Sequence, residues 1–227
     1  MTGEVRVIGA KNHEIRLIGG KNHEIRLIGG LWKRTKLKVL DKPGLRPTPD
    51  RVRETLFNWL GHDLTGWRCF DAFAGTGALG FEAASRGATW VALVEDDAGL
   101  VAQLKSLKMQ LNAEAVQVQR GDGISLLKAQ SDLDLVFLDP PFDANLFEPA
   151  LMAAASAVKS TGFVYLETPK LWPDEALSPY RLRVHRHLKA GAVHAHLLVA
   201  VSGIQPRSVS SVLRPNLSAS RSSTTVR

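Results

Sequence analysis

The sequence predicts an α/β chain built on a parallel, doubly wound sheet, and three observations lead there. Short apolar runs alternate with helix-periodic segments between Trp67 and Glu167, the pattern of strand and helix units of about ten to fifteen residues rather than of hairpins. Three glycines follow the first of these strands in FDAFAGTGALG, where a chain can turn tightly into a helix. Acids stand where strands run out, at Asp71, Glu95, Asp122 and Asp139, on the edge where open sheets bind ligands.

The elements follow in chain order. KNHEIRLIGG occupies residues 11–20 and again 21–30, and GEVRVIGA at 3–10 is a looser copy. Each copy alternates like one short strand, and only the last runs on into LWKRTKLKVL, so a basic β-hairpin is expected over 24–40 with Gly29-Gly30 near its turn. In TPDRVRETLFNWL, Thr48 is placed as N-cap and Pro49 at the first helical position, with Val52, Leu56, Phe57, Trp59 and Leu60 along one face. A strand from Trp67, the glycine turn and a helix come next. WVALVED is the second strand, 98–112 a helix, AVQVQRGD the third strand, 124–129 a helix, 133–138 the fourth strand, 147–158 a helix and 162–167 the fifth strand.

YRLRVHRHLKAGAVHAHLLVAV then reads as two strands joined at Ala190-Gly191, an antiparallel hairpin closing the sheet. Its alternation is expected to put His185, His187, His194 and His196 on one partly exposed face. From about Ser202 the chain holds seven serines after Gly203 with scattered Arg and Pro, too little apolar content to fold alone. The organisation is thus strand repeats and a basic hairpin over 1–45, the main domain over 46–201, and a Ser/Arg-rich tail, predicted to be disordered, over 202–227.

Composition narrows the function classes. One cysteine, Cys69, excludes a disulfide framework and a zinc-ligand cluster. No stretch approaches the ~20 apolar residues of a membrane span, and the N-terminus lacks the zones of a signal peptide, so a cytoplasmic protein without a membrane partner is expected. The net charge of +7 is unevenly spread. Residues 1–70 hold 14 Lys and Arg against 7 Asp and Glu, residues 71–175 hold 7 against 15, and residues 176–227 hold 8 against none. An acidic middle between basic ends suits a ligand-binding segment flanked by surfaces that meet a phosphate backbone.

In the glycine turn, Gly75, Gly77 and Ala78 let the backbone approach a ligand, with Phe73 beside it. Glu95, about 20 residues on, can accept from both hydroxyls of a ribose. Two carboxylates favour S-adenosyl-L-methionine over a nicotinamide dinucleotide. Asp71, directly before the turn, suits the ammonium of a methionyl group better than a pyrophosphate. Asp122, in Gly-Asp-Gly with Gly123, is placed to accept from the adenine amino group.

Strand four delivers Asp139-Pro140-Pro141-Phe142 to the same edge. The prolines remove amide donors and hold the turn rigid. A carboxylate and a proline carbonyl side by side can accept both hydrogens of an exocyclic amine, and Phe142 offers a face for a flipped base. Such an amine is a poor nucleophile because its lone pair is delocalised, so the site must orient it rather than deprotonate it first.

IRLIGGLWKRTKL, GLRPTPDRVRETLFNWL, CFDAFAGTGALGFEAASRGA, LVFLDPPF and the closing hairpin together resemble the RsmD family of bacterial methyltransferases. The resemblance covers about residues 24–201, with LRPTPDRVRETLFNWL the most discriminating piece. It implies a Rossmann-like class I S-adenosyl-L-methionine-dependent fold with sheet order 3-2-1-4-5-7-6. It further implies methylation of a guanine exocyclic amine (N2) in 16S ribosomal RNA. The implied partner is a small ribosomal subunit or its assembly intermediate, with ribosomal proteins in reach, met by a monomer. Arg26, Lys33, Arg34, Lys36, Arg46, Thr48, Arg51 and Arg53 become candidates for RNA phosphate or cofactor-carboxylate contact. Two alternatives stay open: an amino-methyltransferase acting on adenine N6 of DNA or another RNA, and a catalytically silent RNA-binding protein. Neither the duplicated decapeptide nor the tail has a counterpart in the family pattern.

Overall fold

The computed structural model describes residues 23–40, 42, 45, 48–142 and 145–201. Arg46, the first copy of the duplicated decapeptide and the serine-rich tail lie outside the described residues.

A hairpin of β1 (His23–Arg26) and β2 (Lys36–Val39) leads into helix α1 (Asp50–Leu60). Then come β3 (Arg68–Asp71), α2 (Ala78–Ser85), β4 (Trp90–Glu95), α3 (Ala98–Gln110), β5 (Val116–Arg120), α4 (Gly123–Lys128), β6 (Leu133–Leu138), α5 (Phe147–Ala157) and β7 (Val158–Thr168). A short helix α6 (Asp174–Leu177) and a 3-10 turn (Ser178–Tyr180), absent from the sequence reading, precede β8 (Leu182–Ala190) and β9 (Val193–Ala200).

The seven-stranded sheet has the order β5-β4-β3-β6-β7-β9-β8. Counted within the sheet this is 3-2-1-4-5-7-6, the order implied by the resemblance. β3, β4, β5, β6 and β7 are parallel, and β9 runs antiparallel between β7 and β8. The central strands are covered on both faces, as parallel sheets must be. In β6, Leu135 and Phe137 enter the cluster under α1 and α2, whereas Val136 and Leu138 enter the one under α4 and α5. Each such fully buried side chain contributes about 1.5–3 kcal/mol relative to exposure.

The hairpin belongs to the first of these clusters, through Ile25, Leu27, Leu37 and Val39. It is also fastened by polar contacts. Glu82, fully buried in α2, accepts from the Ile28 and Gly29 amides at 2.8 Å each and from Arg86 Nε at 2.8 Å. Ser85 Oγ donates to the Gly29 carbonyl at 2.6 Å and accepts from the Trp32 amide at 2.9 Å. Gly30, at φ 71°, lies so close that a Cβ would stand 1.7 Å from the Ser85 carbonyl oxygen. The glycine pair is needed for this approach as much as for the turn.

Three expectations are corrected. Thr48 is not the N-cap: Pro49 takes that position without a side-chain hydrogen bond, α1 begins at Asp50, and Thr48 turns inward to the sheet. β7 begins at Val158 rather than 162, because the register against β6 shifts between Leu133 and Leu135 and admits the extra residues. His185 leaves the histidine face. A bulge between Val184 and Arg186 reverses its side, so its ring packs 6.0 Å from Phe163 while His187, His194 and His196 stay together on the opposite face.

Candidate active site

The carboxyl edge of β3, β4, β6 and β7 assembles the site. After β3 the chain is tied to both neighbouring strands: the Ala72 amide donates to the Phe137 carbonyl at 3.2 Å and the Ala74 amide to the Val94 carbonyl at 2.9 Å. It then turns through Gly75 and Gly77 at φ 51° and 79°, conformations open to glycine at no steric cost. α2 starts at Ala78. Gly75 donates its amide to Glu95 Oε2 at 2.9 Å, so the glycine turn and the acid closing β4 are one unit. Glu95 Oε1 also accepts from the Asp96 and Asp97 amides at 3.0 and 3.1 Å.

The predicted cofactor residues thus lie along this edge, with differences of detail. Phe73 and Gly75 are half-buried beside the turn. Asp71 is 2 % exposed and braces the turn from behind. Burial raises its carboxyl to about 7, against the amides of Phe73 and Gly80, which favour the charged form, while Glu95 and Glu167 push it further up. Asp122 is the N-cap of α4, accepting from the Ile124 and Ser125 amides at 3.2 Å each. The Ser125 hydroxyl, first, and these amides hold its carboxyl below the usual range. Gly123 backs onto the β3 turn, where a Cβ would stand 1.8 Å from the Ala72 carbonyl oxygen.

Asp139 directly follows β6, which ends at Leu138. Among the described residues its carboxylate accepts no hydrogen bond and meets no cation. Burial, then the charges of Glu167 and Asp71, push its carboxyl well above the ordinary value. Pro140 is buried, Pro141 exposed, and the Phe142 ring 42 % exposed. Phe142 begins an aromatic run, its ring 6.3 Å from Phe147, which lies 6.1 Å from Trp172.

Sequence reasoning missed Glu167 and Tyr165. Glu167 is 4 % exposed near the end of β7, and its Oε1 accepts from Thr48 Oγ1 and Tyr165 Oη at 2.8 Å each. Burial raises its carboxyl, and the two hydroxyls oppose the rise. The same burial, followed by the Glu167 charge, raises the Tyr165 phenol. The missed signal was the rule already applied to Asp71, Glu95 and Asp139, an acid where a strand runs out.

The predicted RNA-contact residues divide. Lys33, Arg34 and Arg51 are exposed, while Arg26 is paired with Asp50 at 3.2 Å and Lys36 with Glu24 at 3.0 Å. Arg53 offers RNA no surface: it is fully buried and donates to the Thr48 carbonyl, the Arg26 carbonyl and Asp50. Thr48 likewise faces Glu167. A groove of about 550 Å³ between the hairpin turn and α1 is lined by Arg26, Lys33, Arg34, Asn58, His62 and Arg86. It sits at the far end of α2 from the glycine turn, about 12 Å along eight helical residues.

The acidic edge carries Asp71, Glu95, Asp139 and Glu167, and none of them forms an ion pair among the described residues. Such a carboxylate-rich edge, with no cation among the described residues, suits a ligand that brings its own positive charge. The residues present therefore fit S-adenosyl-L-methionine, whose sulfonium and ammonium groups are cationic.

The family described as Conserved hypothetical protein 95 matches residues 25–199. The ribosomal RNA small subunit methyltransferase D of Haemophilus influenzae is 44% identical over 147 residues, 62% of this chain and 76% of that protein. The protein of the same name from Escherichia coli K12 is 39% identical over 165 residues, 71% of this chain and 83% of that one. Among solved structures, the putative methyltransferase yhhF from Escherichia coli superposes with a TM-score of 0.67 at 37% identity, covering 78% of this chain and 98% of its own.

Proposed function

The chain belongs to the Conserved hypothetical protein 95 family, that of RsmD, and on that premise we propose that it methylates a guanine exocyclic amine (N2) in 16S ribosomal RNA. It is a methyltransferase by family and fold, and the methyl donor is assigned as S-adenosyl-L-methionine. The observation that carries the reading is Asp139: an acid at the end of β6 without donor or cation among the described residues, beside the glycine turn and followed by two prolines and an exposed aromatic ring.

When bound, S-adenosyl-L-methionine supplies an electrophilic methyl group on a cationic sulfur. Glu95 would accept from its ribose hydroxyls, the turn at Gly75, Gly77 and Ala78 would lie against its methionyl part, and Asp122 with Gly123 would border its adenine. Asp71 stiffens the turn, and a neighbouring ammonium would favour the charged form of its raised carboxyl.

The remaining work falls to the β6 turn. The N2 lone pair of guanine is spread into the ring, and hydrogen bonds from its two N–H groups to Asp139 and the Pro140 carbonyl orient the nitrogen. Phe142 stacks on the base. After the N–C bond forms, the nitrogen must lose one proton. Asp139, held above the usual carboxyl range by burial and by like charges, is a ready acceptor for it. This adds a late proton-accepting role to a group otherwise read as an orienting one.

Lys33, Arg34 and Arg51, with Arg26 and Lys36 once their ion pairs open, supply the phosphate-binding surface. We assign the substrate as an assembling small subunit in the cytoplasm, met by a monomer. No helix among the described residues is long and apolar enough to cross a membrane. Tritiated-methyl transfer to small subunits from a strain lacking the modification, followed by nucleoside analysis, tests the reading. N2-methylguanosine is expected, and N6-methyladenosine would overturn it.

A further inference from the structure

Asp139 explains how an amine is held but not why the amine is that of guanine. On its pairing edge, guanine carries the N2 amine beside a second donor, N1–H. Adenine and cytosine carry their amines beside an acceptor nitrogen instead. A site that selects guanine therefore needs a second acceptor next to the first.

Glu167 stands there. β6 and β7 run parallel with Phe137 opposite Tyr165 and Leu138 opposite Leu166; continuing that register by one residue brings Asp139 beside Glu167, adjacent strands being about 4.8 Å apart, and the charge of Glu167 is felt at the Asp139 carboxyl. Oε1 of Glu167 is fixed by the Thr48 and Tyr165 hydroxyls at 2.8 Å each, and Oε2 has no protein donor among the described residues. The hydroxyls do not account for a glutamate. A glutamine would accept both through one oxygen without the cost of burying an uncompensated charge. What a glutamine could not offer in place of Oε2 is an acceptor, since it carries an NH₂ donor there.

We propose that Glu167 selects guanine, its Oε2 accepting from N1–H while Asp139 accepts from the N2 amine. Thr48 and Tyr165 are positioning residues that fix the carboxylate plane. The inference rests on the reading that a guanine amine is the methyl acceptor. It adds rejection of adenine and cytosine, whose ring acceptors would face the carboxylate and leave it unpaired in a buried site.

The test replaces the methylated guanosine, once located by mass mapping of ribonuclease fragments, with 2-aminopurine in a ligated and reconstituted small subunit. This base keeps the 2-amine but presents an acceptor at N1. The wild-type protein should methylate guanine at least ~100-fold faster than 2-aminopurine. Comparable rates on the two bases would overturn the proposal without any mutant. In Glu167→Gln the amide can donate to N1 of 2-aminopurine while its oxygen still takes both hydroxyls. Guanine methylation should fall and the preference narrow to within ~10-fold, with S-adenosyl-L-methionine binding unchanged. A preference that stays at the wild-type value in this variant would also overturn it. Failure of the underlying reading looks different: wild-type protein would then give no N2-methylguanosine on any unmodified subunit.

Discussion

Two buried glutamates, Glu82 in α2 and Glu167 in β7, show what burial does and does not imply. Both are nearly inaccessible, at 0% and 4% exposure. Glu82 accepts from two backbone amides and the Arg86 guanidinium, with Arg53 Nη1 3.8 Å away, and Arg86 lies over the Phe57 ring at 4.7 Å. Its charge is answered on every side, and it fastens the hairpin. Among the described residues Glu167 receives two neutral hydroxyls and faces Asp139 and Asp71 rather than a cation. The lesson is that a missing counter-charge, more than burial, marks the acid that a ligand completes.

The largest effect should come from the satisfied node. Glu82→Ala would leave Arg86 buried without its carboxylate and the Ile28 and Gly29 amides without their acceptor, and should destabilise the fold by about 3–5 kcal/mol, read from the denaturant midpoint. A loss below about 1 kcal/mol would mean that the hairpin is held by its apolar contacts alone.

At the unsatisfied edge the expected loss is of chemistry and not of fold. Asp139→Ala should lower methyl transfer by ~10²–10³-fold while calorimetric binding of S-adenosyl-L-methionine persists. Full activity would remove Asp139 from the mechanism.

A third measurement separates the two regions by pH. Asp71 rises from 3.8 to about 7 on folding, so its neutral form is the one that favours the native state. That contribution is complete below about pH 4 and is lost as pH rises through about 7. Asp71→Asn should therefore flatten the decline in stability across this window, by a few kcal/mol at most, in denaturation at matched pH values. An unchanged slope would show that Asp71 is already compensated, as Glu82 is.

The smallest effect is expected from removing residues 1–20, which precede the family match at 25–199. Activity on small subunits should remain near wild type, and a large loss would give the duplicated decapeptide a function.

Much of the site was legible because its signals are local. Tight turns demand glycine, so the run from Gly75 to Gly80 announced a strand passing into a helix. Two prolines after an acid announced a rigid strand end. Alternation of strands and helices gave the parallel sheet, and HAHLL with RVHRH gave the closing hairpin. Arg53 was misplaced because a charge within an amphipathic helix reads as solvated until its partners are known, and these are the Thr48 carbonyl, the Arg26 carbonyl and Asp50. The bulge that turned His185 away leaves no mark in an alternating strand.

By itself, then, the sequence determined the order of the sheet strands and of the helices between them, the ligand-binding edge and the acids that end β3, β4 and β6, because periodicity and turn chemistry act within a few residues. Only the tertiary structure decided which buried charges would be answered. Thr48 meets Glu167 across 119 residues, and Glu82 meets Ile28 across 54. Whether an acid is neutralised or left open depends on charges brought together through space, and no local pattern records them.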